Sequence, residues 1–172
     1  VIANKDHAGV LFWDLCNEPY GSGSPDNSKE LWNTFFGRVR ETVKAVDTTI
    51  PLSIGCIPDG TPKELEPFCD LINFHPYYAW NAWVKSAEKL EEKVDGWVQF
   101  ANEKGKTLVV TETGWGALDD AKRAETLKIE LEILTERKIG FTIHALHHSL
   151  VADLHRPQYG PTHKPGYMAC IE

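Results

Sequence analysis

Two glutamates stand where this sequence could do chemistry. Glu18 closes the run Val10-Leu11-Phe12-Trp13-Asp14-Leu15-Cys16-Asn17-Glu18-Pro19, and Glu112 closes Thr107-Leu108-Val109-Val110-Thr111-Glu112. Each follows an apolar or β-rich stretch of the kind that forms a buried strand. Pro19 bars continuation as a central strand, so Glu18 is expected where strand gives way to loop. His75 and Tyr77 follow a third such run, Leu71-Ile72-Asn73-Phe74, and His144 to His148 follow a fourth. Paired carboxylates are the usual equipment for cleaving a glycosidic bond: one donates a proton to the leaving oxygen while the other attacks the anomeric carbon.

Such residues need a scaffold that brings strand ends to one rim. After the opening strand, Gly21 to Asn27 is loop by composition, and Ser28 is placed to cap a helix. Leu31, Phe35, Val39, Val43 and Val46 recur at helical spacing and predict a helix over 29–46. Strands are expected over Pro51–Ile57 and Leu71–Phe74, with a helical turn over Pro62–Phe68 between them. Trp83, Ala87, Leu90, Val94, Trp97 and Ala101 predict a long helix that Gly105 ends. Thr107–Thr111 reads as a strand. A helix over 120–137 follows, with Ala124, Leu127, Leu131 and Leu134 expected inward, and then a last strand over Gly140–Leu146. Strands alternating with helices imply an α/β fold with a parallel sheet, whose functional groups gather at the carboxyl ends of the strands.

The 172 residues suffice for one domain, 1–172, and its 42% hydrophobic and 25% charged residues are ordinary for a globular chain. A net charge of -7 argues against a nucleic-acid partner. No apolar run is long enough to span a membrane. Residues 1–7 show no signal-peptide pattern and no initiating Met, which points to a processed or excised piece, and the compartment stays unknown. Cys16, Cys56, Cys69 and Cys170 lack metal-ligand spacing and read as free structural thiols. His144 and His148 are four apart, but in a strand-to-loop context, so His144, His147, His148, His155 and His163 predict no metal site. Among the six tryptophans, Trp115 is the best placed to stack on a sugar ring, Trp80 lies in a loop, and Trp13 and Trp83 read as core.

Asn17-Glu18-Pro19, His75-Pro76-Tyr77 and Thr111-Glu112-Thr113-Gly114, in that order, resemble clan A glycoside hydrolases, most closely family 5. The resemblance runs from about Gly9 to Leu146 and implies a (β/α)8 barrel of which this chain holds strands four to eight. It implies Glu18 as general acid/base and Glu112 as nucleophile, with no cofactor. Asn17 would bind the sugar 2-hydroxyl, and Tyr77 would donate its phenol hydrogen to Glu112. His75, Trp115 and His147 would complete the substrate site. The implied substrate is a β-1,4-glucan, with mannan and xyloglucan as open alternatives; the parent family is secreted.

A full barrel usually takes about 250 residues. The family's early-strand Arg and His have no counterpart here, nor does the Trp that usually ends the eighth strand. An open five-strand sheet would leave its inner face and two edges uncovered. A homodimer or higher oligomer is therefore expected to cover them. A non-catalytic fragment that at most binds carbohydrate is the alternative reading.

Overall fold

The computed structural model describes residues 1–20, 29–58, 60–78, 86–114 and 120–144. The elements run β1 (Trp13–Asn17), α1 (Lys29–Lys44), β2 (Leu52–Gly55), α2 (Thr61–Leu65) with a 3-10 turn at Glu66–Phe68, β3 (Leu71–Asn73), α3 (Ala87–Lys104), β4 (Thr107–Thr113), α4 (Asp120–Glu136) and β5 (Gly140–Ile143). Strands and helices alternate as their apolar periods require, and β1 with β2, and β3 with β4, pair in parallel. Among the described residues no helix is long and apolar enough to cross a membrane. The chain divides into two compact units, one of residues 1–75 and 100–109, the other of 76–99 and 110–172.

In the first unit, Phe36, Ile54, Cys56, Leu65 and Cys69 form the core, against which Leu15, Cys16, Tyr20, Trp32 and Phe68 pack. Trp32 stacks on Phe36 at 5.5 Å between ring centroids, a geometry that adds to the burial of both. The inward face of α1 differs from the expected one. Phe36 and Val43 are buried with Trp32 and Val39 half-buried, whereas Leu31, Phe35 and Val46 are exposed. Steps of four residues drift about 40° per step around a helix, so Leu31 and Phe35 rotate off the stripe that Trp32, Phe36, Val39 and Val43 hold. Arg40 lies near the same side and donates to the carbonyl of Phe68 at 3.2 Å and to Asp70 at 2.8 Å.

Strand β1 is shorter and less buried than expected. It begins at Trp13, none of its residues is fully buried, and Leu11 just before it is 78% exposed. Its start is fixed by Asp47, a buried carboxylate between α1 and β2 that accepts the Trp13 indole N–H at 3.3 Å. Burial works against the Asp47 charge, yet the amides of Thr49 and Ile50, the Thr49 hydroxyl and the Trp13 indole outweigh it and hold the pKa well below the carboxylate range. Pairing with β2 runs Trp13↔Leu52 and Asp14↔Ser53, then Asn17↔Gly55. Three residues of β1 thus span two of β2, a bulge that turns both Leu15 and Cys16 toward the core. Strand β3 flanks β2: Asp70 N–H donates to Leu52 O and His75 N–H to Cys56 O, each at 2.8 Å. The first residues of β4 then pair with β3, Leu71↔Thr107 through Asn73↔Val109.

Between the end of α3 and β4, Lys106 ties this layer down. Its ammonium donates to the carbonyls of Glu66 and Cys69, both at 2.8 Å, and to the Glu66 carboxylate. The Lys106 hydrogen bond keeps the Glu66 carboxyl below its usual value. Gly105, at φ +64°, lets α3 end in a left-handed turn, with Lys106 N–H returning to Ala101 O at 2.9 Å.

In the second unit, β5 lies beside the later residues of β4, and His144 N–H donates to Thr113 O at 2.8 Å. Leu90, Val94 and Trp97 of α3 are buried as expected. The buried residues of α4 are instead Glu130, Ile133 and Leu134, with Leu127 and Leu131 half-buried and Ala124 exposed. Arg137 forks onto Asp95 of α3, at 2.5 and 3.1 Å. Among the described residues, Cys16, Cys56 and Cys69 form no disulfide.

Candidate active site

Each unit carries one of the two glutamates with its own partners. In the first, Glu18 follows β1 directly, its N–H donating to Gly55 O at 2.8 Å. Its φ of +46° lies in the left-handed region, which a side chain rarely adopts and which a following proline disfavours further. Strain of this kind persists only where the surroundings enforce it. The enforcing contacts are the bulge, the Gly55 carbonyl and His75, whose Nδ1 lies 2.9 Å from Glu18 Oε1.

His75 is 1% exposed and rests on the backbone of Gly55. A Cβ at position 55 would stand 2.6 Å from the imidazole Nε2, so only glycine fits beneath the ring. Asp14 Oδ2 approaches the same point to 3.2 Å, and Asp14 Oδ1 accepts the Gly55 N–H at 2.9 Å. Asp14 as a whole is open to solvent, but the environment of its carboxylate costs hydration and raises its pKa, against the opposing pull of the Gly55 amide and His75. Asn17, the last residue of β1, is exposed.

In the second unit, Glu112 is the penultimate residue of β4, which runs two residues beyond the expected end at Thr111. The phenol of Tyr77, itself 1% exposed, donates to Glu112 Oε1. His144 Nδ1 stands 3.7 Å from the same oxygen and forms an ion pair there when protonated. Thr113 Oγ1 donates to Pro76 O at 2.6 Å, and the Tyr78 N–H donates to Glu130 on α4. Gly114 follows at φ +105°, where a Cβ would meet Ile143 and Leu127 at 3.1 and 3.2 Å. The chain therefore leaves the strand two residues after Glu112, at a glycine that makes room for Ile143 and Leu127.

The contact expected of Tyr77 with Glu112 is present, and His75, expected only in the substrate site, lies on Glu18. Trp80, Trp83, Trp115, His147, His148 and Cys170 lie outside the described residues. Four neighbours were not foreseen in these roles: Asp14, Thr113, Glu130 and His144. His144 alone carried a signal, as the first histidine after the last strand. Asp14 and Glu130 have the spacing of ordinary polar positions.

Strand–helix repeats that carry hydrogen-bonded glutamates at their strand ends are a setting for hydrolysis by carboxylates. The family model for cellulase, glycosyl hydrolase family 5, matches residues 2–149, and the chain belongs to that family. Comparison with curated proteins gives no match. Among solved structures, the β-glucuronidase of Bifidobacterium dentium, complexed with coumarin-3-O-glucuronide, superposes with a TM-score of 0.67 at 17% identity over 85% of this chain and 26% of that one. The Faecalibacterium prausnitzii β-glucuronidase gives 0.65 at 16%, over 96% of this chain and 29% of that one. The Eisenbergiella tayi GH2 β-galacturonidase bound to galacturonate gives 0.61 at 18%, over 82% and 26%. At these identities the likeness concerns the fold, which is mixed α/β with parallel strands and consistent with part of a (β/α)8 barrel. The chain spans between a quarter and a third of the length of these relatives.

Proposed function

We propose that this chain carries the catalytic carboxylates of a retaining β-glycosidase acting on a β-1,4-glucan, with Glu112 as nucleophile and Glu18 as general acid/base. The observation that carries the reading is the Tyr77 phenol on Glu112 Oε1. A phenol donor fixes the plane of the carboxylate that is to attack. Family membership supports the two roles, and the glucan preference rests on the family's cellulase name. Asn17 and His75 are assigned to the substrate site with Tyr77, Trp115 and His147.

In the first step a Glu112 oxygen bonds to the anomeric carbon as its bond to the leaving oxygen breaks, and Glu18 gives that oxygen its proton. In the second, water attacks the same carbon, Glu18 takes the water's proton, and the bond to Glu112 breaks. Retention requires carboxyl groups about 5–5.5 Å apart. Two carboxylates and water complete the reaction, so the mechanism uses no cofactor.

Hydrolysis of soluble β-glucan by the full chain beside Glu112→Gln tests this. Glu112→Gln is expected to lower kcat at least about a thousandfold. Glu18→Gln is expected to spare the first step on aryl glucosides whose leaving group needs no proton, read as kcat/KM, while slowing the second step and losing the polysaccharide. Equal rates for wild type and Glu112→Gln overturn the assignment, as does an inverted anomer in the first-formed product by proton NMR.

A homodimer is proposed alongside it. Among the described residues β1 pairs on one side only, with β2, and Leu11 stands exposed before it. A second copy covering that edge would remove a hazard that open strands otherwise pose. Sedimentation velocity on the full chain is expected to show a dimer, and a monodisperse monomer overturns this.

A further inference from the structure

The loop that delivers Tyr77 is held at both of its flanking peptides by side chains. Strand β3 ends at Asn73, so residues 76–78 receive no strand pairing. Instead the Pro76 carbonyl accepts from Thr113 Oγ1 at 2.6 Å, and the Tyr78 amide donates to Glu130 Oε1. Between those two points Tyr77 reaches Glu112. Pro76, Tyr77, Tyr78, Glu112, Thr113 and Glu130 all belong to one compact unit.

Glu130 is the unexpected member. It is 1% exposed, on a face of α4 that otherwise buries Ile133 and Leu134. A buried carboxylate costs solvation that a leucine would not, and replacing buried charges by apolar residues is often neutral or stabilising. What a leucine there would not supply is an acceptor for the Tyr78 amide. Thr113 is likewise fully buried, and its hydroxyl is committed to the Pro76 carbonyl.

We infer that Glu130 and Thr113 are positioning residues that clamp the Pro76–Tyr78 segment and thereby hold the Tyr77 phenol on Glu112. The inference rests on Glu112 being the nucleophile. Displacing a hydrogen-bond partner of a reacting group by about 1 Å is enough to cost up to a hundredfold in rate.

The test reads the nucleophile directly. 2,4-Dinitrophenyl 2-deoxy-2-fluoro-β-cellobioside traps a retaining enzyme: a Glu112 oxygen bonds to C1 as the C1–O bond breaks and its electron pair leaves on dinitrophenolate. The first-order trapping constant and the probe's Ki are measured on the full chain for wild type, Glu130→Leu, Glu130→Gln, Thr113→Val and Tyr77→Phe, with thermal melts confirming folding. Glu130→Leu and Thr113→Val are expected to slow trapping about tenfold with Ki changed less than about threefold. Glu130→Gln keeps an acceptor oxygen for the Tyr78 amide and is expected to stay within about threefold of wild type. Adding Glu130→Leu to Tyr77→Phe is expected to cost nothing further, because both break one chain of contacts.

Unchanged trapping in folded Glu130→Leu and Thr113→Val overturns the inference alone, as does a fully additive double variant. Wild type unlabelled at Glu112 by peptide mapping overturns the nucleophile assignment and the inference with it. Should Glu130→Leu fail to fold, Thr113→Val, nearly isosteric, decides the matter.

Discussion

His75 Nδ1 reaches Glu18 Oε1 at 2.9 Å, while its Nε2 would stand 2.6 Å from a Cβ placed at position 55. The carboxylate partner and the glycine are therefore one requirement. Gly55→Ala is expected to push the ring off its seat and to destabilise the fold by about 1–3 kcal/mol, the usual cost of overpacking. Urea unfolding of both proteins measures it, and an unchanged midpoint would show that the ring has room to move.

Asp70 gives the fold an acid-sensitive joint. Its carboxylate accepts the Leu52 N–H at 3.0 Å and pairs with Arg40 at 2.8 Å and Lys44 at 2.7 Å. Partial burial opposes its charge, but Lys44, Arg40 and the Leu52 amide prevail and lower its pKa. A carboxyl whose folded pKa is depressed adds stability above its unfolded value of about 4, and that stability is lost as pH falls through the folded value. Asp70→Asn is expected to cost about 1 kcal/mol at pH 7, given partial solvent screening, and progressively less below about pH 4. Denaturant titrations at pH 7 and pH 3 should show the two proteins converging on acidification. A gap that widens in acid would contradict the sign.

Lys106 satisfies two main-chain carbonyls and a carboxylate at once. Lys106→Met keeps the length of the stem and removes every donor. The expected loss is about 2 kcal/mol, because hydrogen bonds from a charged donor are worth more than neutral ones and their acceptors stay half-buried. Calorimetry reads it as a lower Tm, and a change of less than a degree would place the ammonium's role elsewhere.

Burial pushes the Cys69 thiol up to about 12, leaving almost no thiolate at neutral pH. Cys16, half-buried beside Asp14, is raised as well, by burial first and then by that charge. Cys69 is expected to resist dithionitrobenzoate at pH 8 until the protein unfolds, and Cys16 to react sooner. Timed labelling with peptide mapping checks the order, and Cys69 reacting first would contradict it.

Much of this architecture was legible in the sequence. Apolar runs located the strands found among the described residues because buried strands admit few polar residues, and Gly105 marked the end of α3 because the left-handed turn there favours glycine. Faces were harder to read. The Phe35-Phe36 doublet offers two helical stripes, and tertiary packing chose the one through Phe36. Glu130 resembled any outward carboxylate on α4, since its partner is a backbone amide 52 residues away in sequence. The bulge in β1 has no mark at all: Leu15 and Cys16 are adjacent apolar residues in an apolar run, and only pairing with β2 shows that both turn inward.

That bulge also sets a constraint on spacing as distinct from identity. Downstream of it, β1 is out of phase by one residue with the partner that fixes its upstream half. Deleting either Leu15 or Cys16 would restore regular pairing with Asn17 still opposite Gly55, so Glu18 would keep its station and the loss would fall on the core. The spacing that matters is therefore that of Asn17 and Glu18 to Gly55, which a single-codon deletion within the bulge leaves intact.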